Sequence, residues 1–268
     1  MYNQKIIRGK YTIYYKNVMD CAQQRYLNMN ISNSSSKTVI IGGITGGIGT
    51  ALSGLLQSRG DTVTGYSRSG SIRCDATNYE DLDTYFKDCF ANHEKIDAYV
   101  HSIGSIYLKA AHLTPATDWL EVQNQNLNSA FYALRAVLPG MIKQGGGRLL
   151  FFSSVAAQSG LANHEAIAAA KGGLEAMVRS AAASYAPRGI RINAIAPSLT
   201  DTPLSSAITS NPQARAFTEK MHPLGSINTA HEVASMATWL LSDDASQVTG
   251  QVFVVDGGLS SIIPKPKA

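Results

Sequence analysis

Between residues 38 and 258 the hydrophobic pattern alternates between two kinds of stretch. Short runs dense in β-branched and aromatic residues read as buried strands. They are Val39-Ile40-Ile41, Thr62–Tyr66, Ala98–His101, Arg148–Phe152, the run through Ile190 to Pro197, and the stretch following Val248. Longer segments between them repeat apolar residues at helical spacing. From Thr50 the chain carries Ala51, Leu52, Leu55 and Leu56 and closes at Ser58-Arg59-Gly60. Further helices are predicted over 79–90, from Asp118 through Val122, Leu127, Phe131, Leu134 and Val137, over 166–185, and over 231–241, while 203–225 reads as a polar, mixed loop. Apolar strands alternating with helices predict an α/β fold, a doubly wound and mostly parallel sheet with helices on both faces.

Length supports one such domain, because a chain of 268 residues can bury a full core around one sheet. No apolar run approaches the ~20 residues that span a bilayer, so no membrane association is expected. The formal charge of +4 belongs to the first 36 residues, where Lys5, Arg8, Lys10, Lys16 and Arg25 face only Asp20. The remaining 232 residues hold 18 basic and 18 acidic side chains, which leaves no basic excess for nucleic acid. Residues 1–36 are rich in Tyr, Asn and Gln and end in Ser32-Asn33-Ser34-Ser35-Ser36. They are expected to form a poorly ordered extension without a role in the chemistry, with Met29 an alternative start. The catalytic domain is placed at 37–262 and a short tail at 263–268. Cys21, Cys74 and Cys89 show no C-x-x-C spacing, which argues against a disulfide framework or a zinc site and fits a reducing, cytoplasmic setting.

The candidate chemistry centres on Gly42-Gly43-Ile44-Thr45-Gly46-Gly47-Ile48-Gly49. A strand, a glycine turn and a helix start together form a phosphate-binding element, since glycine permits close backbone approach and free helix-end amides attract negative charge. Gly43, Thr45, Gly47, Ile48 and Gly49 are its candidate cofactor contacts. At the end of the second strand stands Arg68 with no acidic residue, the arrangement that accommodates the 2′-phosphate of NADP rather than the 2′-hydroxyl of NAD.

The G-x3-G-x-G spacing, the run Arg191-Ile192-Asn193-Ala194-Ile195-Ala196-Pro197 and the closing Val255-Asp256-Gly257-Gly258 resemble the short-chain dehydrogenase/reductase family over about residues 37–260. The resemblance implies a Rossmann-type fold binding NADP(H), with Asp75 near adenine, Ser102 and Gly104 beside the ribose, and Pro197 and Thr202 on the nicotinamide and pyrophosphate side. His101-Ser102-Ile103-Gly104 is similar to the enoyl-acyl-carrier-protein reductase branch. Asn126 matches the family's active-site Asn, whose backbone helps hold a relay water. Ser198 replaces a usual Gly.

Ser154, 17 residues before Lys171, matches the Ser that hydrogen-bonds the substrate oxygen. The resemblance gives Lys171 the nicotinamide ribose to hold. In the ordinary branch a Tyr four residues before the Lys gives the proton, and here that position is Ile167, which cannot exchange one. Enoyl reductases carry their Tyr seven residues before the Lys, and here that position is His164. Its reference pKa of ~6.5 suits proton donation. The catalytic set is therefore Ser154, Lys171, Asn126 and His164, with His164 or a relayed water as the acid. The expected function is an NADP(H)-dependent oxidoreductase acting on a small carbonyl or activated enoyl substrate, an acyl thioester among the candidates. The alternative is an NADP-binding sensor or scaffold without turnover. The Ala- and Gly-rich helix over 166–185 implies a homodimer or homotetramer, as in the family. No metal site is expected.

Overall fold

The computed structural model describes residues 36–263. Of the expected extension only Ser36, and of the expected tail only Ile263, fall within that range; the rest lies outside the described residues. The chain runs β1 (Thr38–Gly42), α1 (Gly47–Ser58), β2 (Thr62–Tyr66), α2 (Tyr79–Asn92), β3 (Ala98–His101) and α3 (Ala116–Gln123). A π-turn (Asn124–Asn128) then leads into α4 (Ser129–Lys143), β4 (Gly147–Phe152), α5 (Glu165–Tyr185) and β5 (Ile190–Pro197). After β5 come a short parallel pair, β6 (Thr200–Asp201) and β7 (Asn228–Thr229), with α6 (Ser206–Thr209) and α7 (Pro212–Met221) between them. Finally α8 (Ala230–Leu240) precedes β8 (Val252–Val255).

The main sheet has the order β2-β1-β3-β4-β5-β8, with every pairing parallel. Alternate side chains of β1 feed opposite layers. Ile40 joins Leu82, Phe86, Val137, Leu174 and Val178 beneath α2, α4 and α5. Val39 and Ile41 join Leu52, Leu56, Val233 and Ala237 beneath α1 and α8. Burial on both faces explains the continuous apolar runs, each such side chain contributing about 1.5–3 kcal/mol. Because β1 lies between β2 and β3, the chain leaves it in one direction and returns on the other side. That reversal opens a crevice at the carboxyl ends of β1 and β3.

Several expectations are corrected. Helix α1 begins at Gly47 rather than Thr50, because a glycine-rich first turn leaves no apolar signal. The helix expected from Asp118 begins at Ala116 and is interrupted by the π-turn. Phe131, counted on its apolar face, is 48% exposed, whereas Leu134 and Val137, which follow the same turn, are buried. Residues 203–225 are not loop throughout. Asn211 caps α7 by accepting from the amides of Gln213 and Ala214, and Pro212 fits the first helical position.

Candidate functional site

Gly43 turns the chain out of β1 at φ +80°, and its carbonyl accepts from the Gly46 amide at 2.9 Å. Helix α1 then starts with no side-chain cap and no acidic residue in its first turn. Its leading amides are therefore free for an anion. The glycines here are sterically required. A Cβ at Gly49 would overlap the Gly43 carbonyl oxygen, and one at Gly47 would sit 2.7 Å from the Thr202 side chain. Thr202 and Pro203 thus roof the turn, while Thr45 is exposed at its tip and Ile48 packs inward. Ser102 ties the ends of β1 and β3 together, its hydroxyl donating to the Gly42 carbonyl at 2.8 Å.

Beyond β2 the chain folds back on itself, the Ser67 amide donating to Ile72 and Ser67 pairing with Arg73. Arg68 and Arg73 are both exposed, and neither has an ion-pair partner among the described residues. The buried Ser67 hydroxyl has no hydrogen-bond partner among the described residues, and a Cβ at Gly70 would stand 2.6 Å from it. Asp75, also exposed, accepts from the Thr77 amide at 3.0 Å and hydroxyl at 2.8 Å.

Across the crevice three predicted residues converge. A Cβ at Gly104 would meet Asn126 Oδ1 at 2.8 Å and Lys171 Nζ at 3.4 Å. Asn126, 1% exposed, sits in the π-turn and accepts from the Ser105 amide. Its Nδ2 donates to Ser105 Oγ at 2.8 Å and to the Val122 carbonyl at 3.0 Å. Every polar atom of that side chain is thereby used in shaping the site. Lys171 Nζ donates to the Phe152 carbonyl at 2.7 Å, which leaves two of its three N–H groups for a ligand. Burial brings its pKa down to about 8. Ser154, two residues beyond Phe152, accepts from the Ala156 amide at 3.2 Å, so its O–H remains free to donate.

His164 and Ile167 occupy different surroundings. Ile167, one turn before Lys171, is buried with Val122, Ala156, Ala166 and Ala170, against Tyr107, Leu127 and Leu161. Asp118 Oδ2 accepts from the Tyr107 hydroxyl at 2.8 Å. His164 stands two turns before Lys171, roughly 10 Å along the helix axis, at the N-terminal boundary of α5. Its Nδ1 lies 2.7 Å from the Ala162 carbonyl. A carbonyl only accepts, so Nδ1 carries a hydrogen and Nε2 is the nitrogen left to exchange a proton. Pro197 ends β5, and Ser198 beyond it bonds His222 Nε2 at 2.8 Å.

Three contributors escaped the sequence reading: Ser67, Arg73 and Ser105. A second Arg in Ser67-Arg68-Ser69-Gly70-Ser71-Ile72-Arg73 was the available signal for the first two, but the folding-back that unites them has no linear signature. Nothing in the sequence marked Ser105 as the partner of Asn126.

A family model described as enoyl-(acyl carrier protein) reductase matches residues 45–260. A 3-oxoacyl-[acyl-carrier-protein] reductase of Chlamydia pneumoniae is 31% identical, over 87% of this chain and all of that protein. The ligand-free aldohexose dehydrogenase of Thermoplasma acidophilum superposes with a TM-score of 0.80 at 28% identity, covering 87% of this chain and 97% of that one. A variant of ElxO with NADPH bound superposes with a TM-score of 0.79 at 25% identity, covering 85% of this chain and 100% of that one. With the glycine turn at the sheet's reversal point, these likenesses establish that the chain belongs to the short-chain dehydrogenase/reductase family of oxidoreductases.

Proposed function

We propose that the protein is an NADP(H)-dependent oxidoreductase moving hydride between the cofactor and the carbonyl or hydroxyl carbon of a small molecule. The observation that carries this reading is the convergence of Gly104, Asn126 and Lys171 in a fold whose glycine turn leads into an uncapped helix start. The glycine turn and the α1 amides would receive the pyrophosphate. Ser67, Arg68 and Arg73 would take the 2′-phosphate, which gives the orphaned Ser67 hydroxyl an acceptor. Asp75 would lie beside adenine, and Ser102, Gly104, Pro197 and Thr202 along the ribose and nicotinamide. The nicotinamide, when bound, supplies the hydride.

The chain's own residues do the rest. Lys171 holds the ribose through its two free N–H groups, and Ser154 donates its hydroxyl to the substrate oxygen. The proton comes from His164 Nε2 or from a water held at the π-turn. The 3-oxoacyl reductase among the relatives favours a carbonyl substrate, an acyl thioester being the first to try. An activated enoyl group is the alternative suggested by His101-Ser102-Ile103-Gly104. Small exposed residues on α5, among them Ala169, Ala176 and Ala183, would let two copies pack closely as a homodimer or within a homotetramer.

The second reading, an NADP-binding sensor without turnover, rests on Ile167 lying in an apolar cluster where a hydroxyl is expected. Titrating NADPH and NADH against wild type, Arg68→Ala and Arg73→Ala tests the cofactor. NADPH should bind more tightly, and each variant should lose NADPH selectively. Equal affinities in the wild type refute the preference. Turnover of NADPH with a panel of 3-oxoacyl and enoyl thioesters separates the two enzymatic readings, and tight binding with no turnover on the panel favours the sensor.

A further inference from the structure

A chain of buried polar groups crosses from the end of β2 through β3 to the π-turn that carries Asn126. Tyr66 at the end of β2 lies 2.7 Å, oxygen to oxygen, from Tyr99 on β3, and the Tyr99 oxygen lies 2.7 Å from His101 Nδ1. His101 Nε2 lies 3.1 Å from Ser129 Oγ at the start of α4. All four residues are essentially inaccessible, with exposures of 0%, 0%, 1% and 0%. The chain ends where Ser129 Oγ donates to the Gln125 carbonyl at 2.8 Å, inside the π-turn.

Elementary valence fixes every proton in this series. A carbonyl only accepts, so the Ser129 hydrogen points to Gln125. Ser129 Oγ must then accept from His101, which places the ring hydrogen on Nε2. A neutral ring with Nε2–H has a bare Nδ1, so the Tyr99 hydroxyl donates to it and the Tyr66 hydroxyl donates to Tyr99. Adding a proton to Nδ1 would reverse both tyrosine hydroxyls and leave the Tyr66 hydrogen with no acceptor among the described residues, in a dry interior. Burial and the nearby Lys171 charge agree, bringing the His101 pKa down to about 3.

The backbone gives the arrangement its purpose. In a regular helix the Ser129 amide would bond the Gln125 carbonyl; here it bonds Asn124 instead, five residues back. The Ser129 hydroxyl takes the carbonyl that its own amide has left. We infer that His101 is a positioning residue: as the neutral Nε2–H tautomer it orients the Ser129 hydroxyl onto Gln125, and so maintains the π-turn that aims Asn126 at Gly104 and Lys171. The inference rests on the reading of Asn126 and Lys171 as site residues only for its effect on turnover.

The test uses the full chain with ¹⁵N-labelled histidine. The His101 ring should show a protonated Nε2 and a bare Nδ1 throughout pH 5 to 9. Ser129→Ala should speed hydrogen exchange of the 124–129 amides by about five- to tenfold, the net worth of one hydrogen bond, and Ser129→Thr, which keeps the hydroxyl, should restore protection. In NADPH turnover, Ser129→Ala should lower kcat by a similar factor while leaving KM for NADPH nearly unchanged. A proton on Nδ1, a ring that titrates between pH 5 and 8, or unaltered exchange in Ser129→Ala would overturn the inference. Absence of NADPH binding would instead overturn the proposed function, since the ring and exchange measurements need no cofactor.

Discussion

A single methyl group decides whether the glycine turn can exist. At position 49 it would overlap the Gly43 carbonyl oxygen, which is held in the turn by the Gly46 amide. Gly49→Ala should therefore lower stability by about 1–3 kcal/mol, a typical cost of overpacking, and should abolish NADPH binding in a fluorescence titration. Lys171 makes a prediction of another kind. Its ammonium is depressed to about pKa 8 by burial, so its positive charge is present below that pH and is lost as pH rises through it. NADPH affinity should fall above pH 8, and the fall should be weaker in Lys171→Arg, whose cation persists. For the proton donor, His164→Ala should cut kcat by roughly 10²–10⁴ if Nε2 is the acid. Near-normal kcat assigns the role to water at the π-turn. The glycines, Ser154 and Lys171 could be named as candidates from the sequence because the chemistry expected of them is tied to linear spacing. Ser67, Arg73 and Ser105 could not, because each meets its neighbours only once the chain has folded.

Helices and strands were legible where burial is two-sided or periodic. The bounds of β2 and β3 coincide with the apolar runs that predicted them. Pattern failed where another force sets the conformation. The start of α1 is written in glycine, and the π-turn depends on a side chain replacing an amide. Helix α7 has no buried residue at all, so no apolar stripe could announce it. Its order comes from its ends. Asn211 caps one, and at the other His222 Nδ1 meets the Thr218 carbonyl while Nε2 meets Ser198, the residue standing where a Gly was expected. Asn211→Ala should remove about 1 kcal/mol from α7. In a binding titration this should leave NADPH affinity unchanged, because α7 supplies none of the residues proposed for the cofactor.

For the molecule as a whole, the parallel sheet and its two covered faces followed from the alternation of strands and helices, while the strand order needed the structure. Acid sensitivity follows from the buried His101. Its folded pKa of about 3 lies below the ordinary value of 6.5, so between these limits the unfolded chain holds a proton that the folded one refuses. The resulting stability is fully present above pH 6.5 and is lost as pH falls toward 3. The melting temperature of His101→Gln should depend less steeply on pH in this window than that of the wild type. The doubly wound order has one further consequence. The proposed cradle would draw on Gly43, Arg68, Gly104, Asn126, Lys171 and Thr202, residues spread across most of the chain and carried by strand ends, a π-turn and a helix around a sheet whose strands pair only after long crossovers. No fragment can complete it, so ligand occupancy reports the finished sheet. NADPH at a hundredfold excess over its Kd should act as a pharmacological chaperone worth about 2.7 kcal/mol, slowing proteolysis over the whole length of the domain rather than at one loop.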